Sequence, residues 1–480
     1  MKPKVLLKSH LFLSSELLNE EIIETLTFKN MELKKHKQLG VDTEGLDEYI
    51  HLYKYIDKGD KSFIRVPRYT LGSMQQLGKR FNVRHNFPKE HFINIQWLPK
   101  DKNFELNNSQ MATIDNTELT LKKDYGAIIV APPGEGKTTM AINIICRFKQ
   151  KALVLVHKDS LIKQWKDEIL HLTNLSEDRI GLLQQGKFID GDIVIGSQMS
   201  LMRSTINREI NNLFPIVIQD EVHRIGARMF LRAFTRFNAR YRLGLSATPN
   251  RDDEQERLYF LHLSNNLIKH TPVRNVKSKY VKIEFETKTK WKKQRPYIPF
   301  RLQLTNNLIE DNNRNILLKN IIDKCLHDNR KIVVMGERIK HLKELMKHTQ
   351  SNFKDKNIVR FFGAETLTKK QKKAGEKPEK YQDPEQNILN SADIIFATYG
   401  KLSDGNNIPH IDTLLYATPK SSNVMIEQTK GRIEREYKNK QPVIIDIVDM
   451  RSKLLRNMFG KRERLYKSLG MEEEKNIQFS

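Results

Sequence analysis

Lys137 follows two glycines, Gly134 and Gly136, and precedes two hydroxyls, Thr138 and Thr139, in the run Tyr125-Gly-Ala-Ile-Ile-Val-Ala-Pro-Pro-Gly-Glu-Gly-Lys-Thr-Thr139. These residue types suit a nucleoside triphosphate. Glycines let the backbone close around phosphate oxygens and turn its amides toward them, at the start of a helix whose N-terminus itself favours anions. The Lys137 ammonium then reaches the β- and γ-phosphates, and the Thr138 hydroxyl can hold Mg²⁺. Pro133, Gly134, Glu135, Gly136, Lys137, Thr138 and Thr139 are therefore read as a loop that presents the triphosphate of ATP or GTP. Ala131 stands where the full pattern has Gly, and an ordinary glycine-rich turn is the competing reading. Against that reading stand the apolar strand-like run before the loop and the helical pattern after it.

A second chemical group is Asp220-Glu221-Val222-His223, directly past the apolar run 216–219. In open α/β sheets ligands lie beyond the carboxyl ends of strands, so these acids and the loop are expected to face one crevice. Asp220 would hold the Mg²⁺ and Glu221 would orient and activate the attacking water. A solvated acidic loop is the alternative.

Both groups need a rigid frame. From residue 104 onward apolar strands alternate with amphipathic helices, the signature of a parallel sheet covered on both faces. The expected order is helix 138–148, strand 152–156, helix 160–172 with Ser160 as its cap, and strands 192–196 and 216–219. Residues 1–103 are less legible and are read as a small α+β accessory domain. Its charged run 29–37 is either a nucleic-acid face or a solvated helix face. At 81–91, Arg84, His85 and Lys89 interleave with Phe81 and Phe87, which suits either phosphate contact with base stacking or a hairpin that packs its rings. Residues 275–301 set Lys277, Lys279, Lys282 and Lys288 among Tyr280, Phe285, Trp291 and Tyr297; a strand-gripping insertion and a linker with a β-hairpin both fit. Residues 369–380, rich in Lys, Glu, Gly and Pro, read as a surface loop.

The chain has 480 residues, of which 83 are Lys or Arg and 58 Asp or Glu, for a net charge of +25. An excess of that size favours a polyanionic partner, nucleic acid first, with an inert basic surface as the alternative. Cys146 and Cys325 lie in separate apolar runs, so two buried thiols are expected rather than a disulfide or a zinc site. No stretch reaches the roughly 18 apolar residues of a membrane span, and no signal peptide is visible. A soluble, intracellular, cytoplasmic protein is the expectation.

The residues around 131–138, Asp220 to His223, and Ser246-Ala-Thr-Pro249 resemble, in order and spacing, motifs I, II and III of the superfamily 2 helicases of DExH-box type. Gln110 resembles the glutamine that reads adenine. Residues 153–165 resemble motif Ia, and 195–201, with Ser197 and Gln198, motif Ib. Residues 331–335 with Glu337 resemble motif IV; 393–409, with Thr398, Asp404 and Gly405, motif V. The run 426–435 resembles motif VI, in which Gln428, Arg432 and Arg435 would face the triphosphate. Arg251-Asp252-Asp253 is similar to a strand-separating Arg-Glu-Asp element of the xeroderma pigmentosum group B type, with Asp for Glu. The chain end also looks like that group and like phage branch-migration helicases of the UvsW type.

The resemblance implies two RecA-like parallel-sheet domains in tandem, at 104–274 and 311–480, joined by a linker or insertion at 275–310. It further implies ATP and Mg²⁺ as cofactors. Lys137, Asp220, Glu221, Gln428, Arg432 and Arg435 would act on ATP. Gln110, Asp404 and Gly405 would join the loop in holding it. His223, Ser246, Thr248, Ser197, Gln198, Arg251, Asp252, Asp253 and Thr398 would contact nucleic acid or couple it to hydrolysis. The expected activity is ATP-driven unwinding or branch migration of forked or branched DNA in recombination, repair or replication, by a monomer, in the host cytoplasm if the source is viral or phage. An RNA or transcript-release helicase is one rival; a non-catalytic module with ATP as a structural ligand is another.

Overall fold

The computed structural model describes all residues except 1, 18, 31–32, 34–46, 60, 103, 133, 158, 204–207, 223–233, 248–255, 272–277, 288–299, 365–380, 403–407, 421–422, 435–439 and 476–480. The chain divides into two compact units, Met1–Pro272 and Val273–Ser480.

The first unit opens with a five-stranded sheet in the order Lys54–Lys58, Lys61–Val66, Leu11–Ser14, Lys4–Leu7 and Asn82–His85. Only the last pair is parallel. Alternation puts Val5, Leu7, Leu11, Leu13, Ile64 and Val66 into one buried cluster, as expected of a sheet with one covered face. The helix Met74–Arg80 joins it, opened by a capping box between Ser73 and Gln76, which satisfies two amides that a helix start otherwise leaves open. The interleaved stretch near 81–91 forms no hairpin. Asn82–His85 pairs with Lys4–Leu7 instead, Phe81 is buried, and Phe87 lies 5.0 Å beneath the Arg68 guanidinium.

The rest of this unit is an eight-stranded sheet ordered Lys187–Ile189, Ile180–Gln184, Ile193–Ser197, Ala152–Val156, Ile216–Gln219, Tyr241–Ser246, Gly126–Val130 and Leu267–Lys269. All pairs are parallel except the first. Period two sorts the strands between two cores. Ala127, Ile129, Val154 and Ile218 face one, with the helices Lys137–Phe148 and Ser160–Leu172; Ile128, Leu153, Leu155 and Val217 face the other. Such double burial is why these strands read as unbroken apolar runs. Asp159, not Ser160, takes the cap position of the second helix, and Ser160 is its first residue.

The second unit is built on a seven-stranded parallel sheet ordered Ile358–Phe361, Ile394–Thr398, Ile332–Gly336, Thr413–Tyr416, Val443–Asp449, Lys279–Phe285 and Glu472–Glu473. Lys279–Phe285 corrects the reading of this stretch as linker, insertion or hairpin. It runs in register with Val443–Asp449, and Tyr280 and Val281 are buried. Lysines disguised it: Lys279 and Lys282 reach out to Glu474 and Glu284 while the stretch between carries the core, as long basic side chains do at a sheet margin.

The helix Lys453–Ser468 closes this unit through a buried ion pair. Arg462 donates to both Asp446 oxygens, at 2.6 and 2.8 Å, and Tyr466 donates to one of them at 2.9 Å. Burial pulls the Arg462 pKa down, but Asp446 outweighs it and holds the guanidinium above its ordinary range. Asp446→Ala leaves a buried cation uncompensated and is expected to cost about 3–5 kcal/mol. The check is the midpoint of chemical denaturation, which should fall. Among the described residues no helix is long and apolar enough to cross a membrane.

Candidate nucleotide and nucleic-acid site

The phosphate loop hangs from the carboxyl end of Gly126–Val130, between the strand and the helix Lys137–Phe148. Val130 pairs with Ser246, and the Ala131 amide donates to the Ser246 carbonyl at 3.0 Å, so the strand that ends in Ser246 sets the loop's starting point. Gly134 and Gly136 have φ of 88° and 78°, a region glycine enters without steric cost. A Cβ at Gly136 would lie 2.7 Å from the Gln110 amide nitrogen. Gln110 uses both ends of its side chain here: the oxygen accepts from the Asn107 amide at 3.0 Å and the nitrogen donates to the Glu135 carbonyl at 3.1 Å. Lys137 donates to the carbonyls of Ala131 at 3.0 Å and Pro132 at 3.4 Å. Thr138, next along the helix, is partly exposed. Thr139 differs from expectation. It is buried and gives its hydroxyl to Glu168 at 3.1 Å, because the second residue past the lysine has turned to the helix's inner face.

Asp220 follows Ile216–Gln219 directly, and its amide donates to the Leu155 carbonyl at 2.9 Å. The carboxylate is buried and accepts from Trp165 Nε1 at 3.0 Å. Burial and the neighbouring Glu221 charge raise its pKa to about 6, against the Trp165 bond and the Lys137 charge, which lower it. Glu221 sits beside it with φ of 46°, a left-handed conformation uncommon outside glycine and typical of functional turns.

The sign of the Asp220 shift gives a test. A carboxyl whose pKa rises on folding is cheapest to fold when protonated. The cost of its charge is absent below about pH 4, grows as pH climbs through the usual 3.8 to about 6, and is complete above that. Asp220→Asn is therefore expected to raise the thermal midpoint of the ligand-free protein at pH 7.5, by up to about 3 kcal/mol of stability. At pH 4 the difference should vanish. Equal midpoints at both pH values would contradict it.

Ser197, Gln198 and Ser246 are completely covered. Nucleic-acid contact or coupling is the expectation for all three; Ser197 and Gln198 turn inward instead. Gln198 donates to Gln219 at 2.6 Å, and Gln219 donates to the carbonyls of Leu155 at 3.0 Å and Asp220 at 2.9 Å. Ser197 accepts from the Ser200 amide at 3.3 Å. These strands lie deep in the sheet, so a polar side chain at their ends must find its partner inside. Gln219 and Trp165 thus hold the acid pair in place. Neither role is visible in the sequence: Gln219 ends an apolar run like any core strand, and Trp165 falls in the run that resembles motif Ia.

In the second unit, Thr398 and Gly336 end adjacent parallel strands. Around them opens a cavity of about 390 Å³, lined also by Glu337, Arg338, Tyr399 and Lys420. Lys420 pairs with Glu337 at 2.6 Å, and the Glu337 amide donates to Thr418 at 3.0 Å. Arg432, buried, lies near the end of the helix Asn423–Ile433. Pro133, His223, Thr248, Arg251, Asp252, Asp253, Asp404, Gly405 and Arg435, and the side chain of Gln428, lie outside the described residues.

The family model for the type III restriction enzyme res subunit matches residues 103–251, the span that holds the loop and the acid pair. The chain is 26% identical over 479 residues to the candidate ATP-dependent RNA helicase L396 of Acanthamoeba polyphaga mimivirus, across 96% of this chain and 82% of that one. It is 34% identical over 184 residues to the DNA 3'-5' translocase XPB2 of Sulfurisphaera tokodaii, across 38% of this chain and 39% of the relative. By these likenesses the chain is an ATP-dependent helicase, similar in sequence to superfamily 2 proteins. Its fold is also that of Dbp5 from S. cerevisiae, solved with RNA and ADP BeF3, at a TM-score of 0.50 and 14% identity over 77% of this chain and 94% of that one. The two large sheets are tandem RecA-like domains, and the helicase couples ATP to work on nucleic acid.

Proposed function

We propose that this helicase moves along DNA and unwinds or branch-migrates forked and branched duplexes during recombination, repair or replication. The observation that carries the choice of DNA is the identity to the archaeal DNA translocase, the highest among the relatives described above. Net charge of +25 supports a grip on phosphates, since each neutralised phosphate releases counterions.

Mg²⁺ fits the residues present. Asp220 is a buried carboxylate whose pKa is raised by burial and by Glu221, and a divalent cation would relieve both effects. Thr138 and Asp220 would hold it, and it would supply positive charge to the β- and γ-phosphates. Lys137 leaves the loop carbonyls for the phosphates. Glu221 accepts a proton from water as the water oxygen bonds to the γ-phosphorus and the bond to the β-phosphate oxygen breaks. Arg432 and Arg435 neutralise charge on the phosphoryl oxygens from the second unit, which makes turnover depend on both lobes. A monomer suffices for this cycle.

A second reading is an RNA helicase, favoured by the mimivirus relative, an RNA helicase by name, whose match spans 96% of this chain. Hydrolysis and strand separation measured side by side on forked DNA, a four-way DNA junction and an RNA duplex distinguish the two. The DNA reading expects the junction and fork to be opened and to stimulate hydrolysis most. Opening of the RNA duplex alone would overturn it.

A further inference from the structure

The boundary between the two units falls after Pro272, and the described residues on either side of it are tied to nucleotide elements. On the first side the chain leaves the sheet through Leu267–Lys269, and His270 follows with its side chain fully covered. Its Nε2 lies 3.4 Å from a Glu135 carboxylate oxygen. Its Nδ1 lies 3.0 Å from the Thr113 hydroxyl and 3.4 Å from that of Ser109. Thr113 donates to the Ser109 carbonyl at 2.8 Å, and Ser109 donates to the Thr271 carbonyl. With both hydroxyls directed at carbonyls, their oxygens are left to accept from Nδ1. Nε2, on the other side of the ring, faces the Glu135 carboxylate. Glu135 is the loop residue between the two glycines, and its carbonyl is already held by Gln110.

On the far side, Ser278 is buried and donates its hydroxyl to Glu434 at 2.6 Å and its amide at 3.3 Å. Glu434 pairs with Lys430 at 2.5 Å and stands two residues past Arg432.

We propose that His270 and Ser278 are positioning residues that anchor the two ends of the interdomain connector, one to the phosphate loop and the other to the arginine-bearing helix. Through them a change in the loop on nucleotide binding, or in the helix on hydrolysis, is passed to the chain segment that joins the lobes. This inference rests on the motor reading above.

The test uses the full-length protein, with ATP hydrolysis and base pairs opened per ATP measured on forked DNA. His270→Ala is expected to raise KM for ATP about tenfold with kcat within about twofold, the size of one lost hydrogen bond. His270→Gln, which keeps a donor, should recover most of that loss. Combined with Glu135→Gln, His270→Ala should add nothing further, because the partner is already gone. Ser278→Ala should leave hydrolysis unchanged and lower base pairs opened per ATP by about fivefold. An unchanged KM in His270→Ala, equal loss in the Ala and Gln variants with a lowered melting temperature, or unchanged opening per ATP in Ser278→Ala would overturn the proposal. Absence of DNA-stimulated hydrolysis in the unmodified protein would instead sink the motor reading itself.

Discussion

Glu221→Gln is expected to bind ATP normally and to cleave it at least about 10²- to 10⁴-fold more slowly, the usual loss when a positioned general base is removed. The amide is the same size as the carboxylate, so the left-handed turn that presents it, at φ of 46°, need not change. What disappears is the ability to take a proton from water. Removing the Glu221 charge also removes one of the two causes that raise the pKa of Asp220, so metal and nucleotide binding should be preserved or tightened. Lys137→Ala should do the reverse and lose nucleotide affinity, because its ammonium is the loop's only side-chain cation between Gly126 and Phe148 other than Arg147 near the helix end. Equilibrium binding of a fluorescent ATP analogue beside single-turnover hydrolysis separates the two. Loss of binding in Glu221→Gln would remove the general-base assignment.

Arg432→Ala is expected to slow turnover by about 10³- to 10⁵-fold while sparing nucleotide binding, and Arg435→Ala to do the same, by analogy with arginines that stabilise phosphoryl transfer from a second lobe. The loss should sit in kcat, since such an arginine meets charge that develops only in the transition state. Arg432 is buried beside Ile433, so truncation could also loosen the helix. Arg432→Lys controls for this: it keeps the charge and the stem but not the planar fork, and should retain the melting temperature while losing most of the rate. Steady-state hydrolysis with saturating nucleic acid reads the effect. Full turnover in both alanine variants would take the second lobe out of the chemistry.

The helicase signature was legible where chemistry and geometry demand the same residues. Gly134 and Gly136 had to be glycines for their φ, and the apolar runs 126–130, 152–156 and 216–219 had to be strands because both their faces are buried. Legibility failed where a side chain serves an unseen neighbour. Thr139 sits in a motif of phosphate ligands yet bonds Glu168, and Ser197 and Gln198 look like surface polar groups yet lie fully covered where a strand passes into a helix. Lys279 and Lys282 concealed a strand by carrying charge on stems long enough to leave it. His270 gave no signal at all. A lone histidine after a short strand acquires meaning only once the sheet brings it to Glu135, 135 positions away in sequence.

The central claim is that nucleotide held by one lobe and arginines of the other draw the lobes through a cycle, and the distance between labels on the two lobes tests it most directly. Burial covers both native cysteines and pushes the thiols of Cys146 and Cys325 up to about 12, so added surface cysteines can be labelled selectively. Leu119 in the first unit and Ile388 in the second are exposed and accept Leu119→Cys and Ile388→Cys. Energy transfer between dyes at these sites should report one distance with ADP, a different one with a non-hydrolysable ATP analogue plus forked DNA, and no such change in Arg432→Ala. The same distance in every nucleotide state of the unmodified helicase would contradict the account.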